Sequence, residues 1–591
     1  MLGIRTFVKI NWLAALILMI VPLVFGAAAH ADSFSVTNPP SSQKILPMTG
    51  DAGPEADTLR IAMARGEYEP VQIVVHAGDK PLQKVRVSVS SLSGPKGSIL
   101  PKGQVAVTPL GYVTCKMPSN TWTRLLGDKG GEVPDVLLPD RPMDVQKGRR
   151  QPYYITVRTL PTDQAGDYSG TVRISATGEK TRELPLLVRV YDIVLPVKSH
   201  LRTAFGMDTG YRKLKDADPG QDMDTLLRYA KALLAHRISP CVYGASSQKF
   251  NVIPKKGEDG IWDFSGTDRF LSELVPLGLT TFYTCASAGD PTVAEHLKKR
   301  GWFDLAYVYM FDEAPMAELP RIREQYQALV RAVPGVKILQ VGWSSTKPLE
   351  GLVNIWCPLL GRDDTDALRK ARERGEETWW YVCNVPLIPY PNFSWVDYPG
   401  IDARITGWMS YKYRIQGLLY YAVDIWDQHP TEHPQPLTTK PSIEEYDRAN
   451  YANWEPDTYK KLNYGGPRNG CGWLLYPGLG NTPIPSMRLA ILRDGFEDYD
   501  LFKEVEILAT GEGEAAVRAR ELLDFTTPFD KPIIVSRDRN WTMVDNLLMR
   551  RREAILKIAE EFRQPNNPYL KDLRDKQAKM EDKLYPLPAK K

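Results

Sequence analysis

An N-terminal β-sandwich followed by a (β/α)8 barrel, with a C-terminal helical extension, is the fold this chain predicts. Three observations carry it: short segments of alternating polarity up to Leu195, a switch after Pro196 to strands separated by helical segments, and a count of eight such strands. In the first region Tyr68–Val75, Val85–Val89, Tyr153–Arg158, Gly170–Ile174 and Leu184–Val190 alternate with period two between turn residues. No acids, histidines or cysteines with catalytic spacing lie there, so residues 32–195 are expected to be a packed accessory domain.

In the second region Arg202–Met207, Ile238–Tyr243, Leu279–Cys285, Ala306–Phe311, Val336–Val341, Val353–Cys357, Thr378–Cys383 and Gly417–Val423 read as successive strands. Amphipathic helices are expected over Met223–Ala235, Met316–Val333, Asp364–Arg374 and Ile401–Tyr413. The barrel is placed over residues 196–505, with an insertion from Trp426 to about Pro485 forming part of its mouth. Residues 506–591 read as a solvated helical extension, with Arg550-Arg-Arg552, and a flexible Lys/Pro-rich end.

Ahead of these domains, Arg5 and Lys9, the apolar stretch Trp12–Phe25 and Ala29-His30-Ala31 form an export signal over residues 1–31. A membrane helix needs about 20 apolar residues, and no later segment reaches that length, so an exported periplasmic or extracellular protein without stable membrane insertion is expected. Charge excludes little, since 75 Lys and Arg face 71 Asp and Glu, and no basic block interleaved with aromatics suggests nucleic acid. The 14 Trp and 28 Tyr suit sugar recognition, because sugar C–H faces pack on aromatic rings. Cys115, Cys241, Cys285, Cys357, Cys383 and Cys471 show no C-x-x-C spacing, which argues against zinc fingers and redox motifs. Cys241 with Cys285, and Cys357 with Cys383, end successive strands and could be neighbours.

The chemistry is concentrated at Asp312-Glu313, two acids that terminate the apolar run Ala306-Tyr-Val-Tyr-Met-Phe311. In a (β/α)8 barrel the C-terminal strand ends hold the active site, and two acids there suggest glycoside chemistry. A helix cap beside a solvated acid is the competing explanation. His429 and His433 flank Pro430 and precede Pro434, which breaks the helix that would align them on a metal. Arg493 and Glu497, at helical spacing, read as a surface or interdomain salt bridge.

The segments Glu377-Thr-Trp-Trp-Tyr-Val-Cys-Asn-Val-Pro386, Pro391-Asn-Phe393, Gly407-Trp408, Gly417-Leu-Leu-Tyr-Tyr421, Leu475-Tyr-Pro-Gly478 and Arg493-Asp-Gly-Phe-Glu-Asp-Tyr499 resemble glycoside hydrolase family 123. The resemblance implies an exo-acting β-N-acetylgalactosaminidase that needs no cofactor and acts on a glycan or glycoconjugate. It implies substrate-assisted retention, with Glu313 as acid and base and Asp312 holding the acetamido N–H. Tyr381 is the candidate donor to the acetamido oxygen, with a core tyrosine bonded to backbone as the alternative. Trp343 and Trp426 would wall the sugar ring, and Asp208 and Asp424 would bind hydroxyls or cap loops. Glu313 paired with Asp424 is the conventional acid and nucleophile alternative, and a noncatalytic glycan-binding or structural protein is the reading from another class. The chain departs from the family at Gly470-Cys471-Gly472, where Gly-Asp-Gly is frequent, so the preferred sugar is free to differ.

Overall fold

The computed structural model describes residues 34–119, 125–126, 129–207, 222–425, 469–478, 482–510, 513–526, 531–538 and 541–562. The N-terminal region is two sheets facing each other. One runs in the order Phe34–Thr37, Tyr68–Ala77, Arg150–Arg158, Val105–Cys115 and Gly131–Leu137. The other runs Leu59–Arg65, Arg182–Val194, Gly166–Ser175, Leu82–Val89 and Met143–Val145. Val36, Ile73 and Ile155 from the first sheet meet Ile61, Val188 and Val172 from the second in a buried core, which is what alternation with one apolar face requires. Each strand expected from the sequence is present and longer than its apolar centre suggested.

The second region is an α/β domain around a curled parallel sheet. Its strands are Arg202–Met207, Pro240–Val242, Phe282–Tyr283, Ala306–Tyr307, Leu339–Val341, Ile355–Cys357, Glu377–Val382 and Gly417–Tyr420, one at each expected position. The eighth strand pairs with both the first and the seventh, the seventh with the sixth, and the sixth with the fifth. The fifth joins the fourth through a single parallel bridge, Val308 to Ile338. The fourth pairs with the third and the first with the second. Among the described residues no backbone ladder links the second to the third, so the strands form a curled parallel sheet with one seam at that point. Hydroxyls stitch that seam: Thr280 N donates to Ser239 Oγ at 2.8 Å, and Ser239 Oγ lies 2.8 Å from Thr280 Oγ1.

Helices lie outside the sheet, and their starts follow local chemistry. Asp222, Asp364 and Ser486 each accept a backbone N–H in the first turn of Met223–Leu234, Thr365–Glu373 and Met487–Leu508, satisfying groups a helix leaves orphaned. Met487–Leu508 is buried along most of its length and crosses Ile401–Lys412 at two glycines. A Cβ on Gly407 would lie 1.8 Å from the Gly495 carbonyl oxygen, so the backbones meet with no room for a side chain.

The same helix locks the two regions together. Arg404 donates to Asp498 at 2.8 Å and to Glu69 of the β domain at 3.0 Å. Arg552, from the helix Asp545–Glu561, donates to Asp498 at 2.6 Å and also pairs with Glu67. Arg488 engages both oxygens of Asp135 at 2.9 Å, and the Arg493 guanidinium lies 4.8 Å from the Tyr68 ring centroid. Arg493 and Glu497 are therefore interdomain groups. The C-terminal extension differs from the solvated helix expected: Leu548, Arg551, Arg552, Ile555 and Leu556 of Asp545–Glu561 are buried. The end of the insertion also departs from expectation, since residues 469–476 are buried and Tyr476 donates to Asp135 at 2.6 Å rather than lining the mouth.

Candidate active site

Asp312 and Glu313 follow the fourth strand at the C-terminal edge of the curled sheet, where they reach solvent. The bridge to the fifth strand is at Val308, Tyr309 N still donates to Cys285 O, and the chain then bends at Asp312 and Glu313. Glu313 has φ of +45°, a left-handed conformation that costs a non-glycine residue about 1–3 kcal/mol. Gly342, just past the fifth strand, makes room for it: a Cβ there would stand 3.0 Å from the Glu313 Cα. The turn lets both acids reach the same edge of the sheet, where a continuing strand would send two consecutive side chains to opposite faces.

Each acid is held by its own tyrosine. Tyr309 Oη donates to Asp312 Oδ1 at 2.7 Å, and Tyr381 Oη, from the seventh strand, donates to Glu313 Oε1. Neither acid forms an ion pair with a described residue. Burial pushes both phenols far above their ordinary pKa, so each is a neutral donor throughout the physiological range. Asp312 meets solvent on one side and protein on the other. That partial desolvation raises its pKa above the usual carboxylate range, Glu313 adds to the rise, and the Tyr309 hydrogen bond opposes it.

The sheet interior behind the acids is aromatic and sulfur-rich. The Tyr283 ring centroid lies 6.0 Å from that of Tyr307 and 6.2 Å from that of Tyr309, and Tyr307 Oη contacts Cys241 Sγ at 3.5 Å. None of the six cysteines, all of them among the described residues, is in a disulfide. Burial pushes the Cys383 thiol up to about 12 and Cys357 well above its ordinary value, which leaves both protonated and unsuited to nucleophilic attack. The turn after Tyr381 is fastened from below. Asn392 Nδ2 donates to the Cys383 and Pro386 carbonyls at 3.0 Å each, Ser394 Oγ donates to Cys383 O at 2.7 Å, and Asn392 N donates to buried Asp402 Oδ2 at 3.0 Å.

Of the residues singled out from sequence, Asp312, Glu313 and Tyr381 are brought together. Trp343 is half-buried and directly follows Gly342, beside Glu313. Asp424 is buried, with its backbone bridged to Trp473. Asp208 and Trp426, like His429 and His433 and the export signal, lie outside the described residues. Cys471 is fully buried, its Sγ 3.2 Å from Tyr421 Oη. Tyr309 and Asn392 carry site contacts that the sequence reading did not assign. Their available signals were a tyrosine three positions before Asp312 and an asparagine in a proline-rich turn after the seventh strand. Among the described residues, no three His, Cys, Asp or Glu gather to hold a metal ion, and no helix is long and apolar enough to cross a membrane. A cavity of about 730 Å³ between the β domain and the helix Asp545–Glu561 includes neither acid in its lining.

Two family models match the chain over more than half its length. Residues 290–505 match the catalytic domain of glycoside hydrolase 123, and residues 52–176 match the glycoside hydrolase 123 N-terminal domain. None of the curated proteins matches in sequence. Among solved structures, a family 123 glycoside hydrolase from Clostridium perfringens, studied for glycolipid glycan hydrolysis, aligns over 90% of this chain and 98% of its own with a TM-score of 0.62 at 14% identity. A family 39 glycoside hydrolase from Bacteroides cellulosilyticus aligns over 74% of this chain and 82% of its own, at 10% identity and a TM-score of 0.25.

Proposed function

Since the chain belongs to glycoside hydrolase family 123, we propose that it is an exported, exo-acting glycosidase that removes a terminal β-linked 2-acetamido sugar, with N-acetylgalactosamine favoured, by substrate-assisted retention. The observation that carries this reading is the pair of adjacent carboxylates at a strand end, each bonded to a separate neutral phenol. Neutral donors orient an acid without cancelling its charge, which suits groups that must exchange protons or balance a transient cation.

In this reaction Glu313 protonates the glycosidic oxygen as the sugar's acetamido oxygen attacks C1. Asp312 accepts the acetamido N–H and balances the positive charge of the oxazolinium-like intermediate. Water then attacks C1, Glu313 takes its proton, and the acetamide re-forms. The substrate supplies the nucleophile, so no second carboxylate is needed at roughly 5 Å from the acid. One phenol proton cannot serve two acceptors. Tyr381 therefore bonds Glu313 until the sugar is seated and then turns to the acetamido oxygen. Trp343 and Trp426 wall the ring, while Asp208 and Asp424 reach hydroxyls or cap their loops. We read the curled sheet as a (β/α)8 barrel closed at its seam by side chains.

Chromogenic β-N-acetylgalactosaminide, β-N-acetylglucosaminide and β-galactoside, each incubated with the wild type and with Glu313→Gln, test the proposal. Cleavage of an acetamido substrate is expected, with kcat/KM lowered roughly 10²- to 10⁴-fold in the variant and the thermal midpoint retained. Cleavage of the galactoside alone would sink the acetamido mechanism in favour of Glu313 with a conventional nucleophile such as Asp424. Failure to cleave any terminal sugar would favour a glycan-binding role.

A further inference from the structure

We propose that Tyr309 is a positioning residue for this reaction, fixing Asp312 so that Oδ1 is committed to the protein and Oδ2 is presented to the substrate. The inference rests on the role given to Asp312 above. Tyr309 is itself anchored. Its backbone N donates to Cys285 O at 3.0 Å, and its ring stands edge-on to Tyr283 with centroids 6.2 Å apart. Its hydroxyl is thus held by the third strand's end as well as by its own segment, and reaches Asp312 Oδ1 at 2.7 Å. A short acid in a turn would otherwise rotate freely about its terminal torsion. One fixed oxygen turns that rotor into a directed acceptor, and the acetamido N–H requires one acceptor in one direction.

The same bond sets which form of Asp312 is present. The groups facing this acid are Glu313 beside it, Tyr309 on its own segment and Cys357 from the sixth strand. Tyr283 and Cys285 stand behind Tyr309, and Tyr381 acts through Glu313. Glu313 is the sole other acid in that set and disfavours the Asp312 charge, as does burial. The Tyr309 hydroxyl is the group that favours it. Substrate orientation by Asp312 requires the carboxylate, so removing the hydroxyl should raise the pH at which the site becomes competent.

Tyr309→Phe removes only the hydroxyl and keeps the ring against Tyr283. On the chromogenic 2-acetamido substrate, kcat is expected to fall on the order of 10²-fold, with KM changed less than about threefold. The acidic limb of the kcat/KM profile should move to higher pH, and the thermal midpoint should hold. A variant with the wild-type rate, or one whose rate falls with an unmoved acidic limb, overturns the proposal. Asp312→Asn in parallel separates two failures. If it is inactive while Tyr309→Phe is normal, the positioning role alone is wrong. If Asp312→Asn turns over normally, the role of Asp312 itself is wrong.

Discussion

Carboxylates gather in two parts of this molecule, and their partners differ. At the junction of the β domain with Met487–Leu508, Asp498 is sandwiched between Arg404 and Arg552. Burial disfavours its charge, yet the two guanidiniums outweigh burial and hold its pKa below the ordinary value. At the sheet mouth Asp312 faces a phenol, and its pKa moves the other way. Two arginines together commit Asp498 to its ionised form, whereas a phenol orients Asp312 and leaves its proton exchangeable. The first arrangement fastens domains and the second is able to carry chemistry. The distinction lies in the partner, since the acid types are shared.

Three experiments would break or sharpen this contrast. The largest effect is expected from Arg552→Ala, which strips Glu67 and Asp498 of a buried cation. Removing one partner of such a network destabilises by about 3–5 kcal/mol, measurable by urea unfolding, with kcat per folded molecule retained. A variant as stable as the wild type would deny the junction its structural role. Tyr381→Phe should give the converse, a fall in kcat/KM on the order of 10- to 10²-fold with unchanged unfolding, and a loss of stability without loss of rate would merge the two classes.

The smallest effect concerns Asp402, a buried acid beneath the turn after Tyr381 that pairs with no arginine among the described residues and has a pKa raised to about 7, chiefly by burial. Its protonated form is favoured in the folded chain. Its contribution is therefore fully present below the unfolded carboxylate pKa and is lost as pH rises through about 7. Between pH 6 and 8 that loss amounts to about 1–1.5 kcal/mol. Asp402→Asn keeps an acceptor for Asn392 N and should flatten that decline in urea titrations. An equally steep decline in the variant would assign the slope to other groups.

Much of this was legible from residues. Period-two runs located the β domain, and strand-sized apolar runs between amphipathic helices located all eight strands, because both patterns reflect which face is buried. The acids were legible because charge at the end of an apolar run is conspicuous. Tyr309 was not, since a tyrosine in an aromatic strand reads as core until its hydroxyl is seen to meet Asp312. The C-terminal helix misled for a related reason. Arg550-Arg-Arg552 looks solvated in one dimension, yet Arg552 is wholly buried because its acids, Glu67 and Asp498, lie hundreds of positions away or on another helix. The seam was equally hidden, as a missing ladder has no residue of its own.

That seam divides the sheet's mechanics. Backbone pairing runs unbroken from the fourth strand to the seventh, through the Val308–Ile338 bridge and the fifth and sixth strands, and this arc spans Glu313 and its partner Tyr381. The hydroxyl-stitched gap between Ser239 and Thr280 lies outside the arc. Amide hydrogens flanking the gap should exchange with solvent soonest, while the arc behaves as a stiff calliper that keeps the acid and the phenol in register as the rest of the ring breathes.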